Sequence, residues 1–139
     1  MQRNTVIEKK KMQWDGVEIP GLVSVDEIVF ENKTVDVTDF SEEHTVDAAI
    51  MKVPPVTFKY RIDAGSITND FFEKWHLDGE VKDGVMIRTD AYGNEFKRYL
   101  FQSCSCFKHN IPKYDSSAPE YASITITVNP WKIIPVAAR

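Results

Sequence analysis

Cysteine is scarce. The 139-residue chain has two, Cys104 and Cys106. Two thiols one residue apart cannot supply the spaced bridges that staple small secreted domains. An excess of basic charge is also missing: 17 Lys and Arg stand against 21 Asp and Glu, a net charge of −4. A protein that grips nucleic acid by its phosphates ordinarily has the opposite balance, which disfavours tight DNA or RNA binding. No stretch approaches the ~20 apolar residues needed to cross a bilayer. The opening Met1-Gln2-Arg3-Asn4-Thr5-Val6 lacks the apolar core of a signal peptide. The expectation is a protein assembled in a cytoplasm, with no membrane partner.

Catalytic motifs are missing too. There is no G-x-S-x-G, Walker loop, G-x-G-x-x-G or H-E-x-x-H. Cys104-Ser105-Cys106 with His109 suggests a metal site, but structural zinc takes four ligands, usually as two separated pairs, and no second pair exists. His44 and His76 lie far along the chain without ligand spacing. Alternate residues of a strand share a face, so the two thiols are expected to line a core. No helix start or evident base activates either of them. Asp36, Asp39, Glu42, Glu43 and Asp47 are scattered rather than paired as an acid–base couple requires. No cofactor, metal or enzymatic activity is expected.

What is present is a core. Hydrophobic residues make up 42% and aromatics 12%, enough for one domain over 1–139 that needs no staple. Strand signals dominate. Val56, Phe58, Tyr60 and Ile62 alternate with Thr57, Lys59, Arg61 and Asp63 behind Pro54-Pro55, the period of a strand with one dry and one wet face. Residues 121–128 alternate likewise, and residues 22–30 read as a Val- and Ile-rich strand after Pro20-Gly21. Asp15-Gly16 predicts a tight hairpin turn. Tyr92-Gly93-Asn94 predicts another, between strands over 85–90 and 96–107. The second of these strands is apolar on both faces, with Phe96, Leu100, Cys104 and Cys106 on one and Tyr99, Phe101 and Phe107 on the other. Such a strand needs a second covering layer, a helix or a neighbouring subunit.

One helix is predicted from Thr68 as N-cap, through the stripe Phe71, Phe72 and Trp75, to Gly79 as terminator. Lys9-Lys10-Lys11 reads as a solvated edge strand. Residues 32–55 fit no compact core element. Asn32-Lys33 can turn a hairpin, 34–38 and 46–52 alternate weakly, and Glu42, Glu43 and His44 sit at the tip. Long structureless loops are uncommon in compact domains. Two readings stay open: an extended arm buried on another chain, or a long hairpin folded on its own barrel. Together these signals give a mainly β protein, an antiparallel barrel or sandwich flanked by one α-helix, with an extended β-hairpin arm over 32–55 and a C-terminal arm over 129–139.

An ordered series of features resembles the tail tube proteins of contractile-tailed bacteriophages. It runs from Val17-Glu18-Ile19-Pro20-Gly21-Leu22-Val23-Ser24-Val25 through Thr57-Phe58-Lys59-Tyr60-Arg61 and Phe71-Phe72-Glu73-Lys74-Trp75. It continues with the hairpin Ile87-Arg88-Thr89-Asp90 to Phe96-Lys97-Arg98-Tyr99. It ends with Ile124-Thr125-Ile126-Thr127-Val128 and Trp131-Lys132-Ile133-Ile134. Relatives of that family include the hemolysin-coregulated tube proteins of type VI secretion and the tubes of contractile bacteriocins. The resemblance implies hexameric rings stacked into a hollow tube inside a sheath. The tube holds a tape-measure protein, is bounded by baseplate and tail-terminator proteins, and passes DNA without binding it tightly. It places the protein in a virion.

Rings of identical subunits use heterologous interfaces, one patch meeting a different one, and obligate interfaces are large and apolar. The candidate contact residues are Thr34, Val35, Val37, Phe40, Val46, Ile50, Met51, Tyr99, Phe101 and Phe107. The candidate lumen face is Thr57, Lys59, Arg61, Ser123, Thr125 and Thr127, with the outer, sheath-facing side as the other possibility for these six. The competing functions are a tube protein of a secretion system or bacteriocin, and a monomeric ligand-binding β-barrel.

Overall fold

Period-two alternation and a few left-handed turns build most of the architecture. The computed structural model describes residues 7–34, 49–62 and 67–136, with only the backbone for 31–34 and 49–52. Ten strands and one helix follow in the order β1 (Lys9–Trp14), β2 (Val17–Glu18), β3 (Leu22–Val25), β4 (Glu31–Thr34), β5 (Ala49–Lys52), β6 (Val56–Arg61), α1 (Ile67–Asp78), β7 (Val81–Thr89), β8 (Glu95–Asn110), β9 (Ser123–Asn129) and β10 (Lys132–Val136). Eight strands form one antiparallel sheet in the order β2-β1-β7-β8-β9-β6-β3, with β10 also on β8. The other two, β4 and β5, pair with each other as a separate sheet, Glu31 opposite Lys52 and Thr34 opposite Ala49.

Sixteen residues of β8 make it the spine. One flank holds β7; the other is shared end to end, β10 pairing with residues 98–102 and β9 with residues 105–110. Residues 132–136 of the expected C-terminal arm therefore lie in the sheet. Ile133 is buried opposite Phe101, and Pro135 is tolerated because β10 is an edge strand.

The sheet rolls up on its apolar face. Trp14 of β1 meets Phe58 of β6 at 5.4 Å between ring centroids, though three strands separate them in the sheet. The roll does not close into a barrel. Among the described residues, β1 and β3 do not pair; their edges line a gap formed by Glu8, Lys9, Lys10 and Leu22–Val25. Exposed Lys9, Lys10 and Lys11 hold that edge in water, the device that keeps an open strand from pairing indiscriminately. No helix among the described residues is long and apolar enough to cross a membrane.

Helix α1 packs on the core. Phe72 and Trp75 are buried, and the Trp75 indole donates to the Glu80 carbonyl at 2.8 Å. Gly79, with φ at +69°, closes the helix as expected, its N–H reaching the Trp75 carbonyl. Thr68 does not cap. It lies inside the helix, buried, and its hydroxyl donates to the Pro20 carbonyl at 2.9 Å.

That contact fixes the helix to the turn before β3, where Gly21 (φ +96°) accepts the Arg61 N–H at 2.6 Å. A Cβ at Gly21 would lie 2.3 Å from the Arg61 carbonyl oxygen. Gly21→Ala is expected to lose about 2–3 kcal/mol through the left-handed backbone and the clash together. A urea midpoint equal to that of the parent protein would contradict it.

Candidate assembly surfaces

The surfaces a neighbour could touch follow from where alternation holds and where it slips. It holds on β6 and β9, which pair Thr57 with Thr127, Lys59 with Thr125 and Arg61 with Ser123. Val56, Phe58, Tyr60, Ile124, Ile126 and Val128 fill the core, so the six candidate lumen residues do share one face. The Thr57 and Thr127 hydroxyls hydrogen-bond at 3.1 Å. Lys59 and Arg61 lie over the Tyr121 ring, 5.5 and 4.3 Å from its centroid, a cation–π contact that ties both bases to the wall. Lys108, opposite Thr127 on β8, belongs to the same face. Ser123 is only 7% exposed and adds little to an open surface.

It slips on β8. Ser103 has φ at +48°, and the register to β7 jumps between Lys82 and Gly84. The extra residue of this β-bulge turns the strand over. Phe101 and Cys104, three positions apart, both point inward. The bulge is held by Asp83, whose carboxylate accepts the Ser103 N–H at 2.9 Å, while Asp15 accepts the Asp83 N–H at 3.0 Å. Phe101 is therefore corrected from contact residue to core residue: it is wholly buried beside Trp14 and Phe58. Both thiols are buried, which pushes Cys104 up to about 12 and Cys106 to about 11, far from reactive thiolates.

The remaining contact candidates divide. Phe107 falls at a second register shift, between Cys106 and Lys108, and is 51% exposed. Tyr99 is half-buried, stacked on exposed Phe30 at 6.1 Å. Thr34, Ile50 and Met51 lie on the β4–β5 hairpin. Val35, Val37, Phe40 and Val46 fall outside the described residues.

Sequence reasoning missed one patch. Val53, Val81, Ser103, Ser105, Asn129, Pro130 and Trp131 line a shallow hollow, with Trp131 71% exposed. Val81, Ser105 and Asn129 are adjacent in register. Trp131 and Val81 are distant in sequence, and only the three-strand alignment joins them.

Comparison with known proteins now has a geometry to rest on. No family model and no curated protein matches the sequence. Solved structures match its fold. The cap that terminates the anti-feeding prophage tube superposes with a TM-score of 0.75 at 14% identity, over 99% of this chain and 94% of that one. A chain of the sheath/tube terminator of an extracellular contractile injection system, PVC, gives 0.69 at 15% identity, over 98% and 99%. Hcp1 from Salmonella typhimurium gives 0.60 at 13% identity, over 91% and 84%.

This is the fold of contractile-injection tube and terminator proteins.

Within the tube fold, the entry to β1 is anchored electrostatically. Arg88 on β7 grips Glu8 with two nitrogens, Nε at 2.5 Å and Nη2 at 2.9 Å, and Lys10 adds a second cation at 3.0 Å. The Arg88 hydrogen bond holds the Glu8 carboxyl down at about 2. A depressed carboxyl contributes stability above its ordinary value of 4.5, and the contribution is lost as pH falls from there toward 2. Solvent screening limits the effect to about 1 kcal/mol. In an acid titration of stability, Glu8→Gln should flatten the limb between those values; an unchanged limb would show that the clamp contributes nothing.

Proposed function

We propose that this protein is a structural subunit of a contractile-tail tube. Copies assemble into hexameric rings, and the rings stack into a hollow conduit inside a sheath. The observation that carries the reading is the extent of the fold match: nearly the whole of this chain onto nearly the whole of the anti-feeding prophage cap chain. The open β1–β3 seam, the detached β4–β5 hairpin, exposed Phe107 and the Trp131 hollow give a ring several distinct surfaces to bury, as head-to-tail closure requires.

The face of Thr57, Lys59, Arg61, Thr125 and Thr127 is the candidate wall of the conduit. Hydroxyls and two bases held against Tyr121 give a hydrated surface with few free cations, and few neutralised phosphates mean weak binding of a passing DNA. Tape-measure, baseplate and sheath proteins are the partners this role implies, and a phage virion is its setting; the tube of a secretion system or bacteriocin would use the same subunit chemistry.

A second reading has a specific observation in its favour. The TM-scores to the terminator assemblies, 0.75 and 0.69, exceed the 0.60 to Hcp1. A terminator subunit would form one ring and stop. Negative-stain electron microscopy of the purified chain separates the cases. Stacked tubes support a tube subunit, isolated rings a terminator, and a strictly monomeric protein at high concentration overturns both.

A further inference from the structure

The fold brings together two histidines that are 33 residues apart. His76, in the last turn of α1, and His109, near the end of β8, face each other with Nδ1 atoms 2.7 Å apart and rings nearly perpendicular at 85°. Both side chains are half-buried.

We propose that His76 and His109 form a two-imidazole site for a divalent transition-metal ion of copper(II) or nickel(II) type, clamping the helix to the sheet. Imidazole is a preferred ligand of these ions. With metal–nitrogen bonds of about 2.0–2.1 Å, two ligands at a right angle stand about 2.9 Å apart, whereas two tetrahedral ligands stand about 3.4 Å apart. The observed spacing is close to the first value. The 2.7 Å separation is that of the hydrogen-bonded pair, so the rings must part to admit an ion, by less for ligands at a right angle than for tetrahedral ones.

Without metal, one Nδ1–H donates to the other Nδ1. Metal binding moves that proton to the donor ring's own Nε2 through solvent, so both rings remain neutral ligands with Nε2–H outward. The negative end of the helix dipole favours a cation beside His76, in the last turn of α1. No third His, Cys, Asp or Glu completes the site among the described residues, so the other positions fall to water or to a residue of a neighbouring copy. Buried Cys104 and Cys106 are not competing soft ligands on the surface.

The test is titration of the purified full-length chain with copper(II) at neutral pH, read by calorimetry and electron paramagnetic resonance. The expected result is one ion per chain with a spectrum showing two coordinated imidazole nitrogens. H76A and H109A should each weaken binding at least tenfold, and H44A should leave it unchanged. Equal affinity in the H76A/H109A double variant, or a wild-type spectrum with one imidazole nitrogen or none, would overturn the site. The wild-type spectrum counts nitrogens without any substitution, so the test stands even where a variant does not fold.

Discussion

Trp14→Ala is expected to cost about 3–5 kcal/mol, the range for deleting a fully buried large aromatic. Trp14 is the point where four elements converge. It lies 4.8 Å from Trp75 of the helix, 5.4 Å from Phe58 of β6 and 6.4 Å from Phe101 of β8, ring centroid to ring centroid. Its indole N–H donates to the Tyr60 hydroxyl at 3.2 Å. The room for it is made on β7 by Gly84, where a Cβ would come within 2.7 Å of the indole ring. Alanine would leave a void lined by rigid rings that cannot collapse into it. It would also strip a partner from a phenol so buried that its ionisation is pushed well above the ordinary tyrosine value. Small domains hold only about 5–15 kcal/mol in total, so the variant should be marginal. The check is a urea midpoint shift at constant slope. A loss below about 1 kcal/mol would mean that the rolled sheet is held from elsewhere.

The same residues show how far the sequence could be read. Alternation over 56–61 and 124–128 assigns inward and outward faces correctly because both strands are regular and fully paired. The Asp15-Gly16 turn is also as expected, both residues having positive φ. The failures are local events that pattern cannot register. The bulge at Ser103 depends on Asp83 and Asp15, carboxylates from two other segments, so the faces of β8 were misassigned from that point. The strand expected over 22–30 stops at Val25 because β6 supplies pairing only that far, with one further bond from the Asp26 N–H to Thr57. The antiparallel barrel-or-sandwich class with one helix is as expected, but the open β1–β3 seam is not legible, because edge pairing is a property of two distant strands and not of either one. Neither the His76–His109 pair nor the Trp131 hollow has a signature along the chain, since each arises from register between strands or between strand and helix.

On the tube reading, replacing residues 35–48 with a short glycine-containing turn should leave the domain folded and abolish ring stacking. The argument starts from the hairpin. Among the described residues, β4 and β5 pair only with each other, outside the eight-stranded sheet. A lone two-stranded ribbon is at best marginally stable in water, so something beyond its own ladder must support it. The sequence between its strands carries Val35, Val37, Phe40 and Val46 among acids, a composition suited to burial against another surface. Among the described residues, the buried core comes from β1, β6 to β10, α1 and the residues flanking β3 and β6, and is continuous without that segment. Stability measured by urea should therefore change by less than about 1 kcal/mol, while tubes seen by electron microscopy disappear. Loss of folding would mean that the segment packs on its own protomer, and tubes of normal length would mean that stacking rests on the Trp131 hollow or the β1–β3 seam. The separation of the two readouts, folding kept and assembly lost, is what distinguishes an arm that joins copies from one that completes its own domain.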